Sequence, residues 1–336
     1  MILVTGSTGL VGSHLLYKLS SNGEKVRAIY RSERKLDNVK NVFSGYSDNY
    51  KTLFESIEWV QADILDIPSL TEAFEGVSYV YHCAAFVSFE PDKYRLLRKT
   101  NIEGTANIVN LCISNSITKL CYVSSIAAIG NPNNSLPIHE ETEWNPEAEN
   151  NVYAITKYGA EMEVWRGTQE GLNAVIVNPG VILGAGIWRY GSGSLFKKAH
   201  GGLKYYTSGS VGLVDVEDVV AIMINLTKSQ ISNERFILVA ENWTYKDFLQ
   251  AMATSVNVSP PKKLAPKWLL QITWRLDWLT FKLTGKRRQL TRHLVKELST
   301  KNTNNNNKIK SHLSFEFKPI SKSIIEIGQL YLKQVQ

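Results

Sequence analysis

The first 180 residues alternate short runs of β-branched and other apolar residues with longer stretches in which apolar residues recur at helical spacing. This alternation predicts parallel βαβ units, and therefore an α/β fold with a doubly wound parallel sheet of the Rossmann type. Segment 32–56 is longer than a simple crossover and predicts additional local helix. The predicted strands are 2–5, 25–30, 57–61, 77–83, 120–124 and 174–178, and the predicted helices are 10–21, 69–74, 94–115 and 152–169.

The regular alternation stops after Pro179, where glycine-rich loops separate shorter elements. A helix starting at Asp215, a strand at 235–239 and a helix over 244–255 are predicted in this part. We therefore expect a first domain over 1–179 and a smaller C-terminal lobe over 180–336. The boundary is soft, because the last strand of the sheet could come from the second half.

Composition excludes several classes of protein. The chain has 336 residues, of which 43% are hydrophobic and 21% charged, so disorder is excluded as the main state. Its three cysteines are too few for a disulfide framework and are expected to be reduced thiols. Apolar runs stay below the roughly 18 residues of a membrane span, and the N-terminus does not resemble a signal peptide. The expected location is the cytoplasm.

The formal net charge of +7 is unevenly distributed. Residues 260–301 contain eleven Lys and Arg against two acidic residues, whereas the rest of the chain is slightly acidic. This pattern indicates one surface that prefers anions, and because no nucleic-acid-binding motif accompanies it, no nucleic-acid partner is predicted. The six histidines lack metal-ligand spacing, so no metal site is predicted.

A glycine-rich turn lies between the first predicted strand and the first predicted helix. Glycines in such a turn permit a tight bend, a close approach of a pyrophosphate and close packing of helix on strand, while the helix N-terminus attracts the phosphates. A dinucleotide site is therefore predicted at Gly6, Ser7, Thr8, Gly9, Leu10, Val11 and Gly12.

The second predicted strand ends in Tyr30-Arg31. Enzymes that select NAD usually place an acidic residue here for the ribose 2′-hydroxyl, whereas an arginine can pair with the 2′-phosphate of NADP. Arg31 therefore favours NADP(H) over NAD(H).

Tyr153 and Lys157 are four residues apart and lie on one face of a predicted helix. Ser124 and Ser125 close a predicted strand, so a hydroxyl is expected at the carboxyl end of the sheet, where such folds bind ligands. Together with the glycine turn, these residues resemble the extended short-chain dehydrogenase/reductase family over nearly the whole chain.

The resemblance implies roles for individual residues. Tyr153 is implied as the acid/base, with Lys157 lowering its pKa and binding the nicotinamide ribose, and Ser125 rather than Ser124 as the hydroxyl that holds the substrate oxygen. Asn101 matches a helix asparagine that positions a helix or a water for proton relay. Further residues match family positions that contact the cofactor, namely Asp63, Ile64, Ala84, Ala85 and Pro179.

The branch of the family is indicated by two stretches, 26–31 and 235–245, which look like dihydroflavonol reductases and 3β-hydroxysteroid dehydrogenases. The resemblance implies hydride transfer between NADP(H) and a ketone or secondary alcohol on a bulky, apolar small molecule. Ser125 is followed by Ile126-Ala127, whereas 4,6-dehydratases of the family place an acidic pair there. A nucleotide-sugar epimerase with retained NAD remains open, as does a cofactor-sensing binding protein without catalysis. A homodimer is also open, since helices beside the catalytic tyrosine often make two-fold contacts in this family.

Segment 266–288 combines three tryptophans with leucines at helical spacing and with basic residues. Two interpretations are open. The helix could lie in an anionic membrane interface, or its aromatic residues could pack on the second lobe and cover the pocket, which is the preferred interpretation.

Overall fold

A seven-stranded sheet forms the centre of the fold. The computed structural model describes residues 1–130, 137–285, 288 and 290–335. The strands are β1 (Ile2–Thr5), β2 (Val26–Tyr30), β3 (Glu58–Gln61), β4 (Tyr79–His82), β5 (Lys119–Val123), β6 (Ala174–Pro179), β7 (Val181–Leu183), β8 (Tyr205–Tyr206), β9 (Ser210–Asp215), β10 (Glu234–Leu238), β11 (Glu241–Thr244) and β12 (Lys263–Leu264). The helices are α1 (Leu10–Ser21), α2 (Leu36–Ser44), α3 (Tyr50–Glu55), α4 (Ile67–Ala73), α5 (Tyr94–Leu97), α6 (Gly104–Ser114), α7 (Val152–Gln169), α8 (Gly193–His200), α9 (Val216–Lys228), α10 (Tyr245–Ser255), α11 (Lys267–Thr284), α12 (Arg292–Glu297), α13 (Asn307–Leu313) and α14 (Ile320–Val335).

The strand order of the central sheet is β10-β6-β5-β4-β1-β2-β3. Every neighbouring pair is parallel, which confirms the predicted doubly wound α/β fold. The order reverses between β1 and β4, so the loops that leave these two strands diverge to opposite sides of the sheet. A crevice at the carboxyl ends of the strands results, and ligands of such folds bind there.

Two apolar layers cover the faces of the sheet. On one face, Leu15 and Leu16 of α1, Phe43 of α2 and Met223 of α9 are buried against the strands. On the other face, Leu70 of α4, Ile108 of α6 and Val164 of α7 are buried. Since strands covered on both sides must be apolar on both sides, the continuous apolar runs of the sequence follow from this arrangement.

The C-terminal half contributes both to the sheet and to a separate lobe. Strand β10 pairs in parallel with β6, so the last strand of the sheet does come from beyond residue 180. A smaller sheet of β11, β9 and β7 and a cluster formed by α8, α10 and α14 build the lobe. The Thr244 hydroxyl accepts a hydrogen bond from the Asp247 N–H at 3.1 Å, which confirms the predicted start of α10.

One predicted helix is not continuous. Segment 94–115 consists of α5, a π-helical segment (Arg98–Glu103) and α6. A π-helical turn inserts one extra residue into a helix, and the resulting change in the spacing of apolar residues is too small to be recognised in the sequence. Such turns are frequent at functional sites.

Helix α11 differs from the preferred prediction. None of its residues is buried, and Trp268 and Trp278 are 64% and 45% exposed. Trp268 and Trp278 therefore do not pack on the lobe as expected, whereas Trp274 is half-buried. Lys286 and Arg287 of the predicted basic segment lie outside the described residues.

Two further expectations concern the environment of the chain. Cys83, Cys112 and Cys121 are unpaired, and the last two are buried. Within the described ranges, no helix combines the length and apolarity needed to cross a bilayer.

Candidate active site

The glycine turn joins β1 directly to α1. Gly6 has φ +65°, and a Cβ there would lie 2.5 Å from the Ala84 nitrogen. A Cβ on Gly12 would lie 2.3 Å from the Gly6 carbonyl oxygen. Side chains at these positions would block the turn and its contact with the loop after β4, so glycine is required at both.

The N-terminus of α1 is available to a ligand. Gly9 is its N-cap residue, and no side-chain hydrogen bond caps the helix. The Ser7 hydroxyl is buried and donates to the Ile29 carbonyl at 2.6 Å, which fixes the turn to β2. Ser7 can therefore reach a ligand through its backbone, whereas the helix end supplies unpaired N–H groups and the positive end of the helix dipole.

Positive charge gathers at the end of β2. Arg31 lies 3.7 Å from the Asp63 carboxylate, and both side chains remain partly exposed. Burial lowers the pKa of Lys35, and the neighbouring Arg31 and Arg34 cations lower it further. Three cations that repel one another at one edge of the crevice form a place where an anionic group would relieve the repulsion.

Ser125 and Tyr153 meet at the carboxyl end of β5. The Ser125 hydroxyl accepts a hydrogen bond from the Ala127 N–H at 3.1 Å, and it lies close enough to the Tyr153 phenol to lower the pKa of that phenol. The Tyr153 ring lies edge-on to Phe89, with ring centroids 5.6 Å apart. Ser124 instead donates to the buried Glu161 carboxylate at 2.6 Å. The structure therefore places Ser125, and not Ser124, beside the phenol.

Lys157 is buried, and its amine is directed to β5. Its Nζ donates to the Tyr122 hydroxyl at 2.7 Å and to the Val123 carbonyl at 2.8 Å. Burial raises the pKa of Tyr153 to about 12, and the Ser125 hydroxyl opposes this shift. Burial lowers the pKa of Lys157 to about 7, partly offset by Glu161. The lowering of the phenol pKa by Lys157 together with the nicotinamide charge stays a prediction.

A buried chain of polar contacts runs from Lys157 to the glycine turn. Thr105 lies close enough to the Tyr122 hydroxyl to oppose the rise in the pKa of that phenol, and the Thr105 hydroxyl lies 3.0 Å from His82 Nε2. His82 Nδ1 lies 2.6 Å from the Thr5 hydroxyl, which accepts the Ala84 N–H at 3.3 Å. Burial lowers the pKa of His82 to about 3, so its ring is neutral and offers one donor and one acceptor.

The Glu161 carboxylate connects α7 to three strands. Besides Ser124, it accepts from Asn178 at the end of β6 at 2.8 Å and from Arg235 of β10 at 3.0 Å. Glu161 is fully buried, so its charge is tolerable only because these donors surround it. This arrangement fixes the rotation of α7, and with it the positions of Tyr153 and Lys157.

Asn101 joins the loop after β4 to α7. Its amide nitrogen donates to the Phe86 carbonyl at 3.0 Å and to the Thr156 hydroxyl at 3.1 Å, and its oxygen accepts from the Phe86 N–H at 2.8 Å. Both amide hydrogens are thus committed to protein partners. These contacts make Asn101 a positioning residue rather than a carrier of protons.

The remaining predicted cofactor residues line the same crevice. Asp63 accepts the Leu65 N–H at 3.0 Å, and the Ile64 side chain packs where a Cβ on Gly104 would lie. Ala84 contacts the glycine turn, Ala85 is exposed beside it, and Pro179 ends β6. Leu10 and Val11 form the first turn of α1 and pack on the core.

Sequence reasoning missed Tyr122, Thr105 and Thr5. A signal for Tyr122 was present, because alternate residues of a strand share a face and Tyr122 stands two positions before Ser124. Thr105 and Thr5 had no comparable signal, since their contacts join elements that are distant in sequence.

The residues present fit a dinucleotide with an additional phosphate. The glycine turn leaves room that a Cβ would fill, the α1 N-terminus provides free N–H groups for a pyrophosphate, and the cations near Arg31 suit a 2′-phosphate. Over the described part of the chain, no group of three or more metal-ligating side chains is found.

Comparisons with known proteins agree with this geometry. A model of the NAD dependent epimerase/dehydratase family matches residues 2–238. A putative dihydroflavonol 4-reductase of Synechocystis is 30% identical over 81% of this chain and 77% of its own, and sterol demethylase protein B of Methylococcus capsulatus is 28% identical over 80% and 78%. The UDP-glucose 4-epimerase of Thermotoga maritima, solved with UDP-glucose, superposes with a TM-score of 0.77 at 21% identity, covering 100% of this chain and 99% of that one. This last likeness concerns the fold.

Proposed function

Since the chain belongs to the NAD dependent epimerase/dehydratase family, we propose that it is an NADP(H)-dependent oxidoreductase that acts on a ketone or secondary alcohol of a bulky, apolar small molecule. The observation that carries this proposal is the placement of the Ser125 hydroxyl near the Tyr153 phenol, with Lys157 on the same helix as Tyr153, at the edge of the sheet that holds the glycine turn.

The proposed roles of Ser125 and Tyr153 follow from the contacts of the Ser125 hydroxyl. The Ser125 oxygen accepts from Ala127, which leaves the hydroxyl hydrogen free for the Tyr153 phenol or a substrate oxygen. A carbonyl oxygen between the two hydroxyls would receive the phenolic proton as negative charge develops on it. When bound, the reduced nicotinamide supplies the hydride to the carbonyl carbon.

The protonation state of Tyr153 suits the role of a proton donor. Burial raises its pKa to about 12, so the phenol of the chain alone is protonated at neutral pH. In carbonyl reduction this phenol is the proposed source of the proton.

Lys157 is proposed to hold the cofactor ribose. Two of its three N–H donors are taken by Tyr122 and Val123, which leaves one for a ribose hydroxyl. Tyr122 acts on the reaction through Lys157, as a positioning residue, and the chain through Thr105 and His82 connects this amine to the turn that binds the phosphates.

The preference for NADP(H) is proposed from Arg31, Arg34 and Lys35. Asp63 neutralises part of the Arg31 charge in the chain itself. A 2′-phosphate would compete for Arg31 with a larger charge and more acceptor oxygens than the carboxylate.

The substrate class is proposed from the lobe and the relatives. We assign cofactor binding to residues 1–179 and the substrate lobe to 180–336. Within the second part, β10 joins the central sheet and α9 packs on it. The relatives at 28–30% identity have names that refer to a flavonoid and a sterol. Both molecules are polycyclic and largely apolar, which favours such a substrate here. We further propose a cytoplasmic enzyme and, through the helices beside Tyr153, a homodimer.

A substrate screen tests the proposal. Loss of reduced-cofactor absorbance is followed with NADPH and with NADH against steroid ketones, flavonoid ketones, aldehydes and sugar nucleotides. The expected result is oxidation of NADPH by an apolar ketone, faster than that of NADH. Turnover of UDP-hexoses without net cofactor change would select the epimerase. Tight NADPH binding with turnover of nothing in the panel would favour a cofactor-sensing protein.

A further inference from the structure

Helix α11 has two apolar faces. One face carries Leu270, Trp274 and Phe281, which are half-buried, and Asp277, which accepts the Leu290 N–H at 3.2 Å and lies 3.9 Å from Arg288. The opposite face carries an apolar stripe at spacings of three and four residues whose side chains are between 46% and 77% exposed: Trp268, Ile272, Leu276, Leu279 and Leu283. We call this second set the outer stripe.

The outer stripe is larger than the scattered apolar residues that are normal on a protein surface. Five large side chains form a continuous line along an 18-residue helix, which is about 27 Å long at the usual rise per residue. Contiguous exposed apolar surface of this kind marks an interaction site.

Cations border the outer stripe. Arg275 and Lys282 lie one residue before Leu276 and Leu283, and Lys267 lies one residue before Trp268. The Arg275 guanidinium lies 4.6 Å from the Trp274 ring centroid, and the Lys282 amine lies 5.8 Å from that of Trp278. The helix has a single acidic residue, Asp277, on the opposite face.

The cations beside the outer stripe indicate which kind of partner the stripe binds. A second copy on a two-fold axis would bring the same cations towards one another across an apolar contact, which is unfavourable. A nucleic acid would not need the five large apolar side chains. An anionic bilayer satisfies both features, because its headgroups attract lysine and arginine while tryptophan and leucine enter the boundary with the acyl chains.

We propose that the outer stripe docks this protein on the surface of anionic phospholipid membranes, with α11 parallel to the bilayer plane. The inference goes beyond the oxidoreductase proposal and does not depend on it, since the contacts that carry it lie outside the active site.

The experiment measures partitioning of the full-length chain on sedimented vesicles, made of phosphatidylcholine alone or with phosphatidylserine, at low and high salt. Binding is expected with phosphatidylserine at low salt, with a blue shift of tryptophan emission, and weaker binding is expected at high salt because salt screens the attraction.

Two pairs of substitutions separate the apolar and electrostatic contributions. Leu276→Ser with Leu283→Ser is expected to weaken partitioning by about tenfold or more, because the apolar contact is lost. Arg275→Gln with Lys282→Gln is expected to weaken it about fivefold per charge and to flatten the salt dependence. Ile67→Ser with Ile325→Ser is the matched control, since these residues are 55% and 52% exposed on α4 and α14.

Three outcomes would overturn the proposal. They are failure to sediment with any vesicle, equal loss of binding in the control pair, and a concentration-dependent dimer that the Leu276→Ser, Leu283→Ser pair dissolves. The last result, by light scattering, would assign the outer stripe to a second copy. The variants concern exposed positions, and circular dichroism checks that each remains folded.

Discussion

The surroundings of Lys157 and the outer stripe of α11 depart from ordinary burial rules in opposite directions. Lys157 is a cationic side chain with 1% exposure, and Leu283 is an apolar side chain with 77% exposure. The interior departure is compensated in part within the chain, since Tyr122 and Val123 accept from the amine and Glu161 lies near it. Within the described residues of the helix, nothing covers the exposed apolar side chains of the outer stripe.

Because of this difference, the two regions are interpreted in different ways. Buried polar groups require hydrogen-bond partners, so the network around Lys157 fixes the position of its amine. The site is therefore pre-organised by contacts within the chain alone. The outer stripe does not contain its partner, so its function must be inferred from what would complete it. In both regions a local rule is broken where we propose that the chain acts on another molecule.

The largest effect is expected in the compensated region, at the phenol. Tyr153→Phe removes the proposed proton donor and should reduce kcat by about 10²–10⁴-fold, the usual contribution of a positioned acid or base. Steady-state kinetics with the ketone found in the substrate screen measures this. Tyr158→Phe on the same helix is the control, because its ring stacks on Trp144 at 4.5 Å, outside the Ser125 pair. Equal activity of the two variants would remove Tyr153 from the mechanism.

The next effect concerns the cations at the edge of the crevice. Arg31→Ser should weaken NADP⁺ binding by about tenfold to a hundredfold, the cost of losing a hydrogen bond to a charged group, and leave NAD⁺ binding nearly unchanged. Isothermal titration with both nucleotides measures the ratio. Arg98→Gln, at an exposed pair with Glu103, should change neither affinity. Parallel losses for NADP⁺ and NAD⁺ in Arg31→Ser would contradict selection of the 2′-phosphate.

A smaller effect is expected at Tyr122, and it tests the role of the polar network around Lys157. Tyr122→Phe removes an acceptor of the Lys157 amine and should reduce kcat by about two- to tenfold. Because the lost oxygen stabilises the ammonium, the pKa of Lys157, about 7 in the native chain, should fall further. The decline of kcat with rising pH should therefore begin at lower pH in the variant.

A merely structural role for Tyr122 would predict a different result. It would lower kcat by the same factor at every pH, without moving the profile. Tyr81→Phe is the matched control, since this buried tyrosine lies on β4, the strand next to β5, and the Lys157 amine donates to Tyr122 and Val123 instead. Its profile should keep the midpoint of the native enzyme.

The last prediction concerns stability and not activity, and it tests burial of the two neutral histidines. Burial lowers the pKa of His14 to about 4 and that of His82 to about 3. The unfolded chain takes up these protons near pH 6.5, so the native state loses stability as the pH falls from about 6.5 towards 4, by about 1.4 kcal/mol per pH unit for each histidine.

Urea unfolding at several pH values measures this slope. His14→Asn should reduce the slope by about half of the histidine contribution, whatever its effect on stability at neutral pH. A native slope that is unchanged by the substitution would show that His14 takes up its proton in the folded state.

The elements that could be predicted were those that local sequence determines. Strand–helix alternation was sufficient for the doubly wound sheet, and the four-residue spacing of Tyr153 and Lys157 placed both on one helix. The contact of Lys157 with Tyr122 depends on the rotation of α7, which Glu161 sets through three other elements. The π-helical turn near Asn101 and the choice of which face of α11 is covered likewise depend on tertiary contacts that apolar spacing does not encode.

The most direct test of the central claim is transfer of the label from NADPH that carries deuterium at both C4 positions. The purified chain is incubated with this cofactor and the active ketone, and the product alcohol is examined by mass spectrometry beside the Tyr153→Phe variant. The account predicts one deuterium at the carbinol carbon for the native chain and almost no product for the variant. Product formation without the label would contradict hydride transfer from the cofactor, and undiminished labelling by the variant would contradict proton donation by Tyr153.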